Sequence, residues 1–235
     1  MNYRGFLSAL VLVCSLQLHA KVYLVSVGIA NYPGTKNDLR ISDNDAKTIA
    51  KVFQATKDAS ASILLNERAT QSAILSTMRS AFSDAESEDA VILYFSGHGT
   101  PGALACYDGL LSYQHIFKML KGCKAKRKII IADACFSGKM RTSSQQTNSY
   151  NSQYVMLFLS SRTYEMSKET PFKNSLFTIF LERGLRGGAD TNRDRYITAR
   201  EIYDFVHKGV IEASANKQHP VMWGKFDNNM TVIKW

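Results

Sequence analysis

The chain reads as short apolar runs separated by stretches of helical period. Residues 128–138, KIIIADACFSG, open with the consecutive isoleucines Ile129, Ile130 and Ile131 and end in small residues around a cysteine. A β-branched run without polar alternation suits a parallel strand covered on both faces. Ala132, Ala134, Ser137 and Gly138 leave Cys135 uncrowded at the strand's C-terminal edge, where open α/β sheets bind ligands. Residues 90–99, AVILYFSGHG, repeat the pattern, with a strand that breaks at Gly97 and puts His98 on the same edge.

The other elements follow by the same reading. Residues 21–27 make a first strand closed by Gly28, and 29–37, with Asn31, Pro33 and Gly34, a loop. Residues 38–54 are an amphipathic helix with Leu39, Ile41, Ala46, Ile49, Ala50 and Phe53 on its apolar side. A short strand over 62–65 and a helix capped by Thr70 and running to about 84 come next. After His98 the pattern gives a loop or hairpin through Leu110, then a helix over 112–120. Residues 139–153, KMRTSSQQTNSYNSQ, are polar and read as a mobile loop beside the site. A strand over 155–160, helices over 176–185 and 198–213 and a closing strand over 230–233 complete the chain. Strands alternating with helices predict a mostly parallel sheet with helices on both faces.

Composition changes this picture little. At 235 residues, 45% hydrophobic and 21% charged, the sequence fits one globular domain. Residues 1–20 read as a signal peptide, with Arg4 as the positive region, 6–18 as the apolar core and Leu18-His19-Ala20 before the cut. That core is too short to span a bilayer. Export with cleavage ranks above a retained anchor, and that above lipidation at Cys14, which Val13 disfavours. Removing the leader takes Arg4 and no acid, lowering the formal charge from +9 to +8. The cations are scattered apart from KGCKAKRK at 121–128, which lacks interleaved aromatics. Nucleic acid and, for the mature form, membrane are therefore not expected partners. Cys106, Cys123 and Cys135 remain after cleavage. A Cys106–Cys123 bridge would leave Cys135 free in an oxidising compartment, and two ordinary buried thiols would do the same.

Cys135 follows His98 by 37 residues, enough for a crossover helix between neighbouring parallel strands. A thiol within reach of an imidazole is an activated nucleophile. With no third member evident, the reading is a Cys135–His98 dyad.

Strand-SGHG followed by strand-DACFSG resembles the histidine and cysteine motifs of the caspase-like peptidases, closest to the metacaspase and bacterial orthocaspase branch. The likeness runs from Tyr23 to about Phe226 and includes VGIANYPGTKNDLRISDNDA, NSLFTIFLERGLRGGADTNRD and HPVMWGKFD in the family's order. It implies a caspase-like three-layer α/β sandwich, with 21–235 as one catalytic domain. It also implies an oxyanion hole from the backbone N–H groups of Gly99 and Cys135. By the same likeness Asp45, Ser96 and Asp133 line the pocket for the residue before the cut bond, and Ser42 stands where metacaspases often have a cysteine. Two carboxylates in a pocket favour Arg or Lys.

Calcium is not a favoured cofactor. The region after His98 that holds clustered aspartates in calcium-dependent relatives offers only Asp108. Asp190, Asn192, Asp194 and Glu201 match ligand positions of an EF-hand loop, but Arg195 replaces its glycine, and Thr198-x-x-Glu201 reads equally as a capping box. Lys139 and Arg141 are candidate self-cleavage sites. His115, His207 and His219 are not spaced as ligands, and Met222, Trp223 and Phe226 read as packing residues, with Trp223 a candidate cleft edge. The expected protein is an exported monomeric cysteine endopeptidase cutting after Arg or Lys in peptides or proteins, periplasmic or secreted, with no required cofactor. The alternatives are a catalytically silent caspase-like module that binds basic peptides and a cysteine hydrolase acting on non-peptide esters or amides.

Overall fold

The computed structural model describes residues 20–100, 102–134, 154–161 and 173–235. Cys135, Lys139, Arg141, the polar 139–153 loop and the leader through residue 19 lie outside the described residues.

Six strands form the central sheet. In chain order they are β1 (Val22–Gly28), β2 (Ala59–Leu65), β3 (Ala90–Gly97), β7 (Arg127–Ala134), β8 (Val155–Leu159) and β10 (Val221–Gly224). They lie in the order β10-β8-β7-β3-β1-β2, all parallel except β10. Between β3 and β7 a small antiparallel sheet is built from β4 (Gly99–Thr100), β5 (Ala103–Cys106) and β6 (Gly109–Ser112).

Alternation along the strands divides the core in two. Val91, Leu93 and Phe95 of β3, with Ile130 and Ala132 of β7, face α2 (Gln71–Ala81) and α3 (Tyr113–Lys121). Ile92 and Tyr94, with Ile129 and Ile131, face α1 (Ser42–Gln54), α4 (Leu176–Arg183) and α5 (Ala199–Ala213). A period of two therefore carries Ser96 and Asp133 to the α1/α4/α5 face. A one-residue slip would turn both away and exchange the faces of every buried neighbour. Each buried aliphatic or aromatic side chain is worth roughly 1.5–3 kcal/mol, so the register is strongly fixed.

Several boundaries differ from the sequence reading. α1 starts at Ser42 rather than at Asp38, because the Asp38 carboxylate accepts the Tyr32 N–H at 2.9 Å and the Leu39 N–H donates to the Ala30 carbonyl at 2.7 Å. These bonds use the segment to close the preceding loop. The hairpin after His98 is a three-stranded meander, turned at Gly102 and Gly109, whose φ values of 90° and 144° favour glycine. β10, which holds Met222 and Trp223, was not anticipated as a strand. It supplies the antiparallel edge of the main sheet. The closing strand, β11 (Thr231–Lys234), pairs instead with β9 (Tyr196–Thr198).

Gly28 ends β1 beneath α1, where a Cβ would come within 2.4 Å of the Ser42 carbonyl and 2.6 Å of the Ala46 Cβ. Gly28→Ala must push α1 off the sheet. It is expected to lower stability by about 2 kcal/mol, read as a lower midpoint in urea denaturation.

Candidate active site

The loop after β1 is pinned where it leaves the strand. Ile29 N–H donates to the Ser96 carbonyl at 3.0 Å, and the N–H groups of Ala30 and Asn31 donate to the Asn66 side-chain carbonyl at 2.9 and 3.1 Å. Folded back this way, it presents the Asn37 carbonyl to His98, whose Nε2 lies 2.8 Å away. A carbonyl can only accept, so Nε2 carries hydrogen, and in the neutral ring Nδ1 keeps the lone pair that a base needs.

Tyr32 supports the same histidine. Its ring centroid is 4.9 Å from the imidazole, its hydroxyl accepts the His98 backbone N–H at 2.8 Å, and it donates to the Ala105 carbonyl at 3.1 Å. Burial pushes the Tyr32 phenol well above its usual range, so it keeps the proton it donates. Gly97 makes room for it, since a Cβ there would lie 2.7 Å from the Tyr32 hydroxyl oxygen. Gly99 follows His98 directly and opens β4. Gly97 pairs with Ala134, the residue before Cys135.

Asp45, Ser96 and Asp133 meet on the α1/α4 face. Ser96 and Asp133 are register partners, and the Ser96 hydroxyl donates to Asp45 Oδ2 at 2.9 Å. Asp45 Oδ1 accepts the Asn174 side-chain amide and the Ser175 backbone N–H, both at 2.9 Å. The Ser175 hydroxyl donates to Asp133 Oδ2 while accepting the Thr178 N–H at 3.0 Å as the N-cap of α4. Thr178 also bonds Tyr94, hydroxyl to hydroxyl, at 2.6 Å. Asp45 and Asp133 are 1% and 4% exposed. Burial first, and the charge of Asp133 second, push the Asp45 carboxyl up to about 7 against the pull of its hydrogen bonds. The same burial and the same two acids keep Tyr94 a neutral phenol.

Sequence reasoning named Asp45, Ser96, Asp133, His98 and Gly99 but missed Asn37, Tyr32, Asn174, Ser175 and Thr178. Asn37 acts through its backbone, which no side-chain pattern reveals. Ser175 carried a usable signal, as a serine opening the helical period of LFTIFLER.

The remaining candidates are hydrogen-bonded within the fold. Asp190 accepts the N–H groups of Asp194 and Arg195 and the Trp235 indole, and Asp194 accepts that of Tyr196. Glu201 completes a capping box with Thr198. Partial burial pushes the Glu201 carboxyl up, but hydrogen bonds from Thr198 and Thr191 outweigh it and hold the group below its usual range. Among the described residues no cluster of His, Cys, Asp or Glu is placed to hold a metal. Asp108, the one carboxylate between His98 and the nucleophile strand, accepts the Gln71 N–H at 2.8 Å. Cys106 and Cys123 are not bonded to each other, their sulfurs lying against the Leu104 and Phe82 carbonyls. Within the basic cluster, Lys124 and Lys126 pair with Glu86 and Glu88. No helix among the described residues is long and apolar enough to cross a membrane.

The raised Asp45 makes a pH prediction with a definite sign. Between its ordinary value of 3.8 and about 7 the folded protein holds a proton that the unfolded chain releases. Stability therefore falls as pH rises through that window and levels off above it. Relative to Asp45→Asn, which keeps the shape without the charge, the protein is expected to lose on the order of 2–4 kcal/mol from pH 4 to pH 8, read by urea denaturation of both proteins. A pH-independent difference between them would contradict the assignment.

The family model for the caspase domain matches residues 22–230. Among solved structures, a Geobacter sulfurreducens protein superposes with a TM-score of 0.64 at 16% identity, over 88% of this chain and 94% of its own. Caspase-1 of Spodoptera frugiperda gives a TM-score of 0.67 at 17% identity, over 89% and 88% of the two chains. At these identities the likeness is one of fold, and it is the α/β sandwich described above. No curated protein matches the chain. With the domain match spanning most of the sequence and the histidine motif at the expected strand end, the chain belongs to the caspase-domain family of cysteine peptidases.

Proposed function

We propose that this protein is an active cysteine endopeptidase that cuts peptide bonds after Arg or Lys, and that it acts outside the cytoplasm once its leader is removed. The observation that carries the specificity is the convergence of Asp45, Ser96 and Asp133 on one face of the sheet edge that bears His98. A guanidinium or ammonium entering beside two buried carboxylates satisfies them, whereas a neutral or acidic side chain leaves them without compensation. The cation also favours ionised Asp45, so binding near neutral pH expels the proton that the buried carboxyl holds.

The chemistry follows from the tautomer of His98. Nδ1 takes the thiol proton of Cys135, and the thiolate attacks the carbonyl carbon of the substrate. The Gly99 and Cys135 N–H groups serve the developing oxyanion. The imidazolium then protonates the leaving amine, and a water deprotonated by Nδ1 hydrolyses the thioester, restoring thiol and neutral imidazole. The Asn37 carbonyl holds the ring and accepts from it throughout. Support for the nucleophile is its place one peptide bond, about 3.8 Å between Cα atoms, past Ala134. No metal enters any step.

Fluorogenic peptides ending in Arg, Lys or Asp test the reading. Turnover is expected on Arg and Lys, absent with Cys135→Ala, and reduced at least ~100-fold in kcat/KM by Asp133→Asn. Silence on all three, with Arg peptides still binding, would instead identify a binding module. Lys139 and Arg141 are bonds that such an enzyme would cut in itself, so the active protein is expected to show fragments by mass spectrometry that Cys135→Ala lacks.

A further inference from the structure

The first strand begins against a buried acid. Asp89, 7% exposed, immediately precedes β3. Its Oδ1 accepts the backbone N–H of Lys21 at 2.7 Å, and its Oδ2 accepts that of Glu86 at 2.9 Å. Among the described residues no cation forms an ion pair with it. Lys124 and Lys126 are engaged by Glu86 and Glu88, and Arg127, a guanidinium in charge contact with Asp89, donates to the carbonyls of Thr231 and Glu88. Tyr23, the other titratable group facing Asp89, is neutral, its phenol raised by burial and then by this carboxylate. This largely buried carboxylate is hydrogen-bonded by neutral N–H donors, and the guanidinium in charge contact with it makes no ion pair, so it lacks the directly bonded countercharge that usually accompanies such a group.

The nitrogen nearest to it is the one that signal-peptide cleavage would free. We infer that hydrolysis of the Ala20–Lys21 bond turns the Lys21 nitrogen into the α-ammonium partner of Asp89, so that maturation itself completes the base of the central sheet. This rests on the export reading. A leader peptidase would supply the catalysis and one water the atoms. The C–N bond breaks, Ala20 keeps the new carboxylate, and the Lys21 amine takes a proton, its pKa being roughly 7.7–8.0 without a partner. Lys21 is held in place by bonds that survive the cut. Its carbonyl accepts the Ala90 N–H at 2.9 Å, and the next N–H, that of Val22, donates to the Asp58 carbonyl at 3.0 Å. The nitrogen therefore stays aimed at Asp89, and its hydrogen bond becomes charge-assisted, about twice as strong as a neutral one.

The test uses the full chain carrying Cys135→Ala, which separates it from peptidase activity. The exported protein is expected to have the mass of a chain beginning at Lys21, and a different first residue would overturn the inference. Chains beginning at Lys21 and at Ala20, released from a fusion partner, are then melted with Asp89 and with Asp89→Asn. Starting at Ala20 moves the ammonium about 3.8 Å along the chain. The Lys21 chain is expected to melt about 2–4 °C higher at pH 6.5, with the gap closing in Asp89→Asn and at pH 9.5, where the amine is neutral. Equal melting temperatures at pH 6.5 would overturn it. If Asp89→Asn does not fold, the pH comparison of the two parent chains decides.

Discussion

Two carboxylates buried side by side are the constraint on which the rest of the site depends. Asp45 comes from a helix and Asp133 from a strand, and water is almost absent from both. Such a pair survives only if donors are aimed at it and one acid resists ionisation. Ser175 meets the first condition for both acids, its backbone N–H serving Asp45 and its hydroxyl Asp133. That hydroxyl also caps α4. The position of α4, the register of β7 and the seating of α1 are thus mutually dependent, and a shift in any one leaves a buried oxygen without its donor. Neutralisation of Asp45 near pH 7 meets the second condition.

Much of this was legible in the sequence because it rests on strand periodicity. The isoleucine run of β7 and the apolar run of β3 each demand two covered faces, and their small-residue endings mark the functional edge. Once the two strands are neighbours, counting in twos from Ile92 and Ile129 puts Ser96 and Asp133 on one face, whereas their choice as site residues, with Asp45, came from the resemblance. Features that depend on backbone atoms or distant side chains were not legible. The Asn37 carbonyl reaches His98 only because Asp38 and Asn66 fold the loop back, and no residue type encodes that. β10 was missed because Val221 to Gly224 is short and half-exposed, with no alternation to count. Asp38 misled for an instructive reason, since an acid before an apolar period reads as a helix start but here closes a turn.

The resemblance supplied roles for residues whose geometry then had to be judged separately. Asp45 and Asp133 are brought together, buried and joined by a shared donor. The EF-hand-like positions are engaged within their own loop. Glu201 directs its two carboxylate oxygens at Thr191 and Thr198, and Asp190 is engaged by two backbone N–H groups and an indole. The same spacing of acids can order a loop by hydrogen bonds, and these acids make such bonds here.

The energetic consequence reaches beyond the site. A domain of this kind has a net stability of roughly 5–15 kcal/mol, and raising the Asp45 carboxyl from 3.8 to about 7 costs on the order of 4 kcal/mol where it must ionise. Ionising the buried pair therefore consumes a large fraction of the margin at neutral and higher pH. Under the proposed function a cation between the acids would remove that penalty, since whatever binds the folded state alone stabilises it. α1 and α4 begin, and β3 and β7 end, beside these acids. Under the proposed specificity, the basic side chain that relieves their charge would therefore also tighten the elements that hold His98 and lead to Cys135, making recognition and consolidation of the catalytic edge one event.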